Sequence, residues 1–276
     1  MQKNEDVAKH YEHGNLLGAI ENAIAVLGKT KNNVTIHDLA PVDEFHIGGR
    51  AASEHFLAHL AFDKNMHVLD IGCGLGGGAR FTAKETGARV TGIDLTKEYI
   101  ETGQVLSTWV NLEKQVHLQC ENAMAMSFQD AYFDGAYMMH VGMNIEDKTA
   151  LFNDVFRVLK TGAKFGIYDI MQTGAGNIAY PVPWAAGRPT SHLVSMQGYI
   201  EALEAAGFQI IQTENRRDFA LDFFKKMKAK TQANGGPPPL GLHTLMQAST
   251  AEKITNMVGN ISAGLIAPIE IIVHKP

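Results

Sequence analysis

The stretch LDIGCGLGGGAR, residues 69–80, places five glycines in twelve positions directly behind an aspartate. A short apolar run that ends in glycine is typical of a buried parallel strand, and the segment ARFTAKETGA after it predicts a helix. The glycines therefore lie on a turn from a strand into a helix. Because such a turn lacks side chains, a ligand can approach both its backbone and the N-terminus of the helix.

Strand and helix patterns alternate outward from this turn about every 25 residues. The strand candidates are residues 65–72, 88–96, 116–122, 133–141, 163–170, 207–215 and 267–275. This alternation predicts an α/β fold with a doubly wound, mostly parallel, seven-stranded sheet of the Rossmann-like type.

The helical patterns outside the core predict a single domain, 1–276, with two additions. Residues 1–60 form a helical N-terminal cover, residues 61–217 the core, residues 218–266 a helical cap insertion, and residues 267–276 the last strand. About 50 residues separate the last two strands, which is too long for a structureless loop. We expect both additions to roof a pocket at the carboxyl ends of the strands.

The composition excludes several classes of function. The net charge of −5 gives no general attraction for polyanions, and the basic run at 225–230 is interpreted as a solvated helix face, so no nucleic-acid partner is predicted. Two cysteines are too few for a disulfide framework or a thiolate zinc site. The chain shows neither an apolar leader nor an apolar run of membrane-spanning length, so we expect a cytoplasmic protein without a membrane partner.

The glycine spacing fits two ligands, a pyrophosphate dinucleotide and S-adenosylmethionine (SAM). Asp70 precedes the first glycine by two residues, where its carboxylate would repel a pyrophosphate and attract an ammonium group. The alternative is that Asp70 caps the loop or the following helix. Asp94, 22 residues after Gly72 at the end of the next strand, suits the ribose hydroxyls of either ligand.

The end of the third predicted strand offers groups for a purine ring. Asn122 carries a side-chain amide and Ala123 a backbone N–H, and both types of group can meet the edge of adenine. The alternative reading of Asn122 is an ordinary turn residue.

Four motifs together resemble a class I SAM-dependent methyltransferase in order and spacing. They are VLDIGCGLGGGARF at 68–81, VTGIDLT at 90–96, ENA at 121–123 and RVLKTGAKFGIYD at 157–169, and the match covers about residues 45–215. Within this family, DEFHIGG at 43–49, the LGGGAR variant and PVPWA at 181–185 resemble small-molecule enzymes of the sarcosine/dimethylglycine N-methyltransferase type.

The resemblance implies SAM as cofactor, S-adenosyl-L-homocysteine as product, and in-line transfer of a methyl group to a small molecule, with an amine nitrogen favoured as acceptor. The glycine turn would wrap the methionine part of SAM, and Asp94 would take the ribose. Family members often have Asp at the position of Asn122, so a charge-assisted bond to adenine is lost here. The expected cofactor-binding residues are Asp70, Gly72, Cys73, Gly74, Gly76, Asp94, Leu95, Asn122, Ala123 and His140.

His140, at the end of the fourth predicted strand, is the candidate catalytic residue. An amine attacks in its neutral form, whereas an oxygen or carbon acid usually needs a base, and His140 at the pocket rim could accept a proton or fix the substrate. The alternative is a histidine that packs or bonds to the backbone near SAM. Methyl transfer disperses positive charge and needs no Lewis acid, so no metal site is predicted.

Five further residues are predicted to face the substrate: His46, Arg50, Asn144, Tyr180 and Trp184. Arg50 could pair with a substrate carboxylate, and its alternative is a surface salt bridge. Tyr180 and Trp184 stand in the proline-rich loop, where an aromatic face can hold an alkylammonium group, although ordinary packing of Trp184 is an equal alternative. His46 either bounds the cavity or caps the helix that follows it.

Other functions remain open at this point. An oxygen or carbon acceptor is the first alternative, and a catalytically silent SAM-binding module, for which Asn122 is the hint, is the alternative outside enzymes. A nicotinamide oxidoreductase is disfavoured by Asp70. A homodimer is left open.

Overall fold

A computed structural model describes residue 7 and residues 9–276, so residues 1–6 and 8 of the predicted N-terminal cover lie outside it. Seven strands form one sheet. They are β1 (His67–Ile71), β2 (Arg89–Asp94), β3 (Val116–Cys120), β4 (Phe133–Met139), β5 (Leu159–Gln172), β6 (Gln209–Asn215) and β7 (Ile266–His274).

The strand order in the sheet is β3-β2-β1-β4-β5-β7-β6. Strands β1 to β5 run parallel, and β7 is antiparallel to both β5 and β6. The predicted doubly wound, mostly parallel, seven-stranded sheet is confirmed. Because β1 leads outward to β2 on one side and β4 lies on the other, a crevice opens at the carboxyl end of β1.

Helices cover both faces of the sheet. From residue 16 onward, three precede β1: α1 (Leu16–Val26), α2 (Ile36–Asp43) and α3 (Gly49–Ala58). Four more connect the strands as far as β6: α4 (Gly77–Thr86), α5 (Lys97–Trp109), α6 (Lys148–Val158) and α7 (Met196–Ala205). The last three stand between β6 and β7: α8 (Arg217–Ala233), α9 (Leu242–Met246) and α10 (Thr250–Ser262). Among the described residues, no helix has both the length and the apolar character that crossing a membrane requires.

The junction between α6 and β5 differs from the sequence-based expectation. The strand candidate starts only at residue 163, because the amphipathic segment before it predicts a helix that ends on Gly162. In the structure, α6 ends at Val158 and β5 starts at Leu159. Leu159 already has extended backbone torsions, is buried and pairs with Phe133 of β4. Pairing with a buried strand therefore overrides the helical periodicity of the last turn.

Glu98 of α5 holds the N-terminal helices against the core. Its Oε2 atom accepts hydrogen bonds from the backbone N–H groups of His13 (2.6 Å) and Gly14 (2.9 Å), and Oε1 accepts one from Leu16 (3.0 Å). These donors lie at the start of α1, where helical N–H groups have no partner within the helix. The three bonds lower the pKa of Glu98 even though burial opposes them, so the anchor is ionised at neutral pH.

The late helices, α8 to α10, pack across the carboxyl end of β5. Ala220 and Phe224 of α8 form one apolar cluster with Met257 of α10, Ile170 of β5 and Trp184. The predicted helical insertion before the last strand is thus present and covers the side of the crevice that faces β5.

Candidate active site

A cavity of about 420 Å³ lies at the carboxyl ends of β1, β2 and β4. It brings together nine of the ten predicted cofactor-binding residues; Gly76 is the exception, because a Cβ atom there would point at Leu118. The residues on its wall are Asp70, Gly72, Cys73, Gly74, Asp94, Leu95, Asn122, Ala123 and His140.

The turn after β1 exposes bare backbone to this cavity. Gly72 has φ of +67°, and a Cβ atom there would lie 2.3 Å from Cγ2 of Val141, so only glycine fits. At Gly74 the nearest atom to a Cβ would be Cδ2 of Tyr99, at 3.9 Å. The turn is held from behind by the N–H of Cys73, which donates to the carbonyl of Ile93 (2.9 Å). The backbone is therefore fixed at the back of the turn and accessible at the front.

Asp94 links the turn to the end of β2. Its Oδ2 atom accepts from the N–H of Gly74 (3.0 Å), and Oδ1 accepts from the N–H of Thr96 (2.8 Å). Burial raises the pKa of Asp94, and these backbone bonds oppose the rise. Each carboxylate oxygen keeps a second lone pair, so it can still accept a hydrogen bond from a ligand hydroxyl group in the cavity.

Asp70 is buried beneath the turn and belongs to a chain of hydroxyl bonds. Thr82 donates to the hydroxyl of Tyr137 (3.2 Å), which donates to Oδ2 of Asp70 (3.0 Å), and the N–H of Ala79 in α4 supports the same carboxylate. Burial raises the pKa of Asp70 to about 7. These contacts support the alternative in which Asp70 caps the helix, although its side chain still reaches the cavity wall.

Arg80 connects this turn to the N-terminal cover, a role that the sequence analysis misses. Its fully buried guanidinium donates to Oδ1 of Asp43 (2.5 Å) and to the carbonyl of Leu75 (2.7 Å). It also donates to the carbonyl of Gly103 (3.0 Å) and to the hydroxyl of Ser107 (2.9 Å). A charged residue among apolar and glycine positions at the start of a helix is the signal that could have identified it.

His140 has both ring nitrogens engaged by the backbone. Nδ1 donates to the carbonyl of Tyr168 (3.2 Å), and Nε2 accepts from the N–H of Ile47 (3.3 Å). Burial, with His46 nearby, lowers the pKa of His140 to about 3, so the ring is neutral at physiological pH. This geometry supports the alternative in which His140 bonds to the backbone near the cofactor, since the lone pair that a base needs is occupied.

His46 and Asn144, two of the five residues predicted to face the substrate, lie on the cavity wall. His46 donates to the carbonyl of Gly49 (3.1 Å), and burial lowers its pKa to about 4. The Asn144 amide donates to the carbonyls of Trp184 (2.8 Å) and Thr190 (3.2 Å). Both side chains therefore tie cavity walls together rather than project into free space.

Arg50 and Tyr180 do not line this cavity. Arg50 forms an ion pair with the buried Glu44 and stacks over the ring of Phe81, with its guanidinium carbon 4.2 Å from the ring centroid. The prediction that Arg50 pairs with a substrate carboxylate is therefore wrong, because a buried carboxylate of the chain itself takes the guanidinium. Tyr180 is half-buried and packs against the apolar cluster under the late helices. Contrary to the sequence-based prediction, its ring is therefore not placed to hold an alkylammonium group in the cavity.

Trp184 is buried, with 1% of its surface exposed, and its indole N–H donates to the hydroxyl of Ser191 (3.0 Å). It lines a second cavity of about 40 Å³ that shares Tyr11, Phe45, His46 and His140 with the first. The rest of this inner chamber is apolar or proline: Ile47, Met143, Pro183, Phe223, Phe224, Leu242, Ile254 and Met257. Trp184 therefore both packs in the protein interior and lines a pocket.

Tyr11 is a further residue that sequence reasoning misses. Its hydroxyl donates to Oδ1 of Asn144 (2.9 Å), and its ring lies 6.2 Å from that of Phe45 and 6.1 Å from that of Tyr99. Because it borders both cavities, Tyr11 separates the turn side from the inner chamber. A single tyrosine in a polar N-terminal segment carries no pattern from which this position could be predicted.

The larger cavity has an acidic wall. None of the described residues that line it is a lysine or an arginine, and six carry a carboxyl group: Asp43, Asp70, Asp94, Glu121, Glu146 and Asp147. Asp43 is paired with Arg80, and burial raises the pKa of Asp70 to about 7, but the remaining carboxylates still make this wall favour cationic ligands over anionic ones.

Comparison with known proteins agrees with this site. Residues 69–167 match the family model of a methyltransferase domain. The chain is 33% identical over 177 residues to a sterol 24-C-methyltransferase of Eremothecium gossypii, an alignment that covers 61% of this chain and 47% of the relative. It is 32% identical over 181 residues to the O-methyltransferase resE of Aspergillus sclerotiorum, covering 63% and 66%. The chain spans about half the length of the sterol methyltransferases it matches.

Solved structures share the fold at low sequence identity. The geranyl diphosphate C-methyltransferase of Streptomyces coelicolor A3(2) superposes with a TM-score of 0.71 at 15% identity, covering 100% of this chain and 98% of that one. A Galdieria sulphuraria protein named for sarcosine and dimethylglycine methylation gives 0.65 at 18% identity, covering 81% and 83%. The narrower sarcosine-type resemblance thus has support in fold alone, whereas these sequence relatives are named for carbon and oxygen methylation. The family model identifies residues 69–167 as a methyltransferase domain, and the seven-stranded sheet around them is the fold of SAM-dependent methyltransferases such as these.

Proposed function

We propose that this chain transfers a methyl group from SAM to a small, largely apolar molecule that carries no negative charge. The observation that supports this most strongly is the larger cavity itself, in which the glycine turn, Asp94 and an acidic wall adjoin an apolar inner chamber. Carboxylates on one side and apolar side chains on the other suit a cationic cofactor beside an apolar acceptor.

The residues present fit the cofactor. The turn at Gly72 and Gly74 leaves backbone accessible, and Asp94 offers lone pairs to the ribose hydroxyls. Asn122 uses Oδ1 to accept the N–H of Met124 (3.0 Å), as a turn residue does, and its amide nitrogen remains a donor on the cavity wall beside Ala123. Apolar groups of Leu95, Ala123 and Met124 suit the faces of an adenine ring.

When bound, SAM supplies an electrophilic methyl group on a sulfonium, and the product is S-adenosyl-L-homocysteine. The chain's own contribution is positioning and exclusion of water, since in-line displacement requires the acceptor atom to be held close and aligned. Asp94 holds the turn through Gly74, while His140 holds the segment at Ile47 against β5 through Tyr168. Tyr11, bonded to Asn144, closes the cavity from the N-terminal side.

The acidic wall argues against an acceptor with a carboxylate or phosphate. A sarcosine-like substrate needs a cation for its carboxylate, and Arg50, the residue predicted for that task, is paired with Glu44. No lysine or arginine among the described residues lines either cavity. An uncharged, apolar acceptor avoids this unfavourable interaction.

The acceptor that we favour is an electron-rich carbon, such as that of a carbon–carbon double bond. It attacks without prior loss of a proton, so the buried histidines on the wall, which are poor bases with pKa values of about 3 and 4, are not needed for the attack. The new carbon–carbon bond leaves a carbocation on the neighbouring carbon, which then loses a proton to a carboxylate of the acidic wall. The names of the relatives, which include several sterol 24-C-methyltransferases, support carbon over nitrogen. A neutral amine is the second candidate, because the acidic wall would stabilise the ammonium product.

The test is release of S-adenosyl-L-homocysteine from SAM in the presence of apolar alkenes, phenols, neutral amines and amino acids. We expect turnover with alkenes or amines and none with sarcosine or other carboxylates. Turnover confined to carboxylate-bearing amines would contradict the proposed acceptor class. Tight SAM binding with no turnover on any class would favour the catalytically silent module. Cytoplasmic location and a homodimer stay predictions of the sequence.

A further inference from the structure

A cluster of four side chains lies on the sheet face beneath α3, outside both cavities. Its members are His55 of α3, His59 at the end of α3, Glu214 of β6 and Glu270 of β7. The two histidines are four residues apart in the sequence HFLAH, which places them on one face of the helix. The sequence-based prediction of no metal site does not take this spacing into account.

Glu270 is the unusual member of the cluster. It is 2% exposed, and neither of its carboxylate oxygens makes a hydrogen bond. A buried carboxylate without hydrogen bonds is costly, because the water that it loses is not replaced by donors. Glu270 therefore presents two free acceptor atoms to the histidines above it.

The sheet register adds a second carboxylate at the same place. Glu214 and Glu270 are directly paired across β6 and β7, an arrangement in which like charges destabilise adjacent strands. A cation between them reverses the sign of this interaction. The guanidinium of Arg216 supplies one such cation, and a divalent metal ion in its place would do so with a higher charge.

The distances match a tetrahedral metal site. Nε2 of His55 lies 3.2 Å from Oε2 of Glu214, 3.6 Å from Oε2 of Glu270 and 3.5 Å from Nε2 of His59. One ligand atom from each of the four side chains lies within 4.8 Å of every other. In a tetrahedral zinc site with nitrogen and oxygen ligands, neighbouring ligand atoms are about 3.4 Å apart.

We propose that His55, His59, Glu214 and Glu270 form a binding site for one divalent transition-metal ion of the Zn²⁺ class. Two imidazoles and two carboxylates are a donor set that suits Zn²⁺ more than Mg²⁺ or Ca²⁺, which prefer oxygen ligands alone. The ion joins α3 of the N-terminal cover to β6 and β7, and so acts as a structural clamp distant from the methyl-transfer chemistry. The site stands independently of the proposed function.

Arg216 competes with the ion for this site. Its guanidinium donates to Nε2 of His55 (2.6 Å) and to Oε1 of Glu214 (2.8 Å), and its Nε lies 3.6 Å from Glu270 without a hydrogen bond. The same lone pairs that hold the guanidinium are those that a metal ion would use. Binding of the ion therefore displaces Arg216 from His55, and removal of its charge strengthens metal binding.

The test is calorimetric titration of ZnCl₂ into the full chain after treatment with a chelator. We expect one Zn²⁺ per chain, and binding weaker by about tenfold or more in both His59→Ala and Glu270→Gln. His117→Ala is the matched control, since it removes an exposed histidine on β3 outside the cluster. Arg216→Gln is expected to bind Zn²⁺ more tightly than the wild type.

His59 is at the end of a helix and half-buried, so His59→Ala is expected to fold, which circular dichroism checks. In addition, Zn²⁺ should raise the unfolding temperature of the wild type and of His117→Ala but not that of His59→Ala. Absence of saturable binding at one ion per chain would overturn the site. Equal binding by the wild type, His59→Ala and Glu270→Gln would do the same, and weaker binding by Arg216→Gln would overturn the competition.

Discussion

The two halves of the active-site cavity are built in different ways. The turn half, which comprises the turn after β1, the end of β2 and the turn after β3, comes from one continuous stretch between Asp70 and Met124. The inner half comes from residues as distant as Tyr11, Trp184 and Met257, brought together by the N-terminal cover and the late helices. Local backbone rules therefore determine the first half, and long-range packing determines the second.

The polar atoms of the two halves are also used differently in hydrogen bonding. In the turn half, Asp94 and Gly74 bind each other across neighbouring strand ends, and their free atoms face the cavity. In the inner half, the polar atoms of His140, Asn144 and Trp184 are used to join the walls. This difference suggests that the turn half selects the ligand by polar contacts and the inner half by shape.

Arg80→Met should have the largest effect, because Arg80 joins the turn half to Asp43 of the N-terminal cover. The substitution leaves Asp43 buried and unpaired, so the free energy of unfolding is expected to fall by about 3 to 5 kcal/mol. Chemical denaturation measures it. The exposed Arg188→Met should change it by less than about 0.5 kcal/mol. The double variant Arg80→Met/Asp43→Asn should recover part of the loss. A loss below about 1 kcal/mol in Arg80→Met would show that this ion pair does not hold the turn to the N-terminal cover.

Gly72→Ala tests the turn half alone. A Cβ atom at this position meets Val141 at 2.3 Å in addition to the positive φ, so SAM affinity should fall by about 100-fold, or about 2.7 kcal/mol. Gly162→Ala is the matched control, because Gly162 has φ of +82° and open space around it. Calorimetry with both variants separates an effect of the turn from a general effect of alanine at a positive φ. Equal SAM affinities in the two variants would contradict the proposed role of the turn.

Asp70→Asn tests burial beneath the turn. Burial raises the pKa of Asp70 from its ordinary range to about 7, so the folded chain holds a proton that the unfolded chain releases. Wild-type stability should therefore fall as pH rises from about 4 to 7, and Asp70→Asn should lack this component. The stability of Asp70→Asn relative to wild type should increase by on the order of 2 kcal/mol between pH 5 and pH 8. A difference that is constant with pH, or that grows toward acid, would rule this out.

Tyr11→Phe tests the inner half and should have the smallest effect. Loss of the hydroxyl leaves Oδ1 of Asn144 without its donor, which should lower kcat/KM for the acceptor by roughly fivefold, or about 1 kcal/mol. SAM affinity should stay within about twofold of wild type, because no cofactor contact is assigned to this hydroxyl. Tyr132→Phe, at an exposed site, is the control. A larger loss in SAM affinity than in acceptor turnover would place Tyr11 in the turn half.

The sequence predicts the sheet and the turn half well for a physical reason. Buried parallel strands are continuous apolar runs, and glycine at positive φ marks the turn, so Gly72, Asp94 and Asn122 could be placed from spacing alone. The end of α6 could not, because its last residues favour helix locally and pair with β4 only in the folded sheet.

The inner half could not be predicted residue by residue. Arg50 shows why: a guanidinium near the pocket looks like a substrate clamp until Glu44, six residues earlier, is seen to hold it in the folded chain. His140 and Trp184 carry chemistry-bearing groups whose partners, Ile47 and Ser191, become known only from tertiary contacts. Tyr11 has no sequence signal, although it borders both cavities.

The central claim is that the turn half binds SAM with Asp94 as the ribose contact, and one measurement tests it most directly. Calorimetric titration of SAM into the wild type, Asp94→Ala and the exposed control Asp222→Ala should show binding weaker by about tenfold or more in Asp94→Ala alone, with no binding of NAD. Circular dichroism checks that Asp94→Ala is folded. Equal SAM affinity in the wild type and Asp94→Ala, or binding of NAD in place of SAM, would contradict the account.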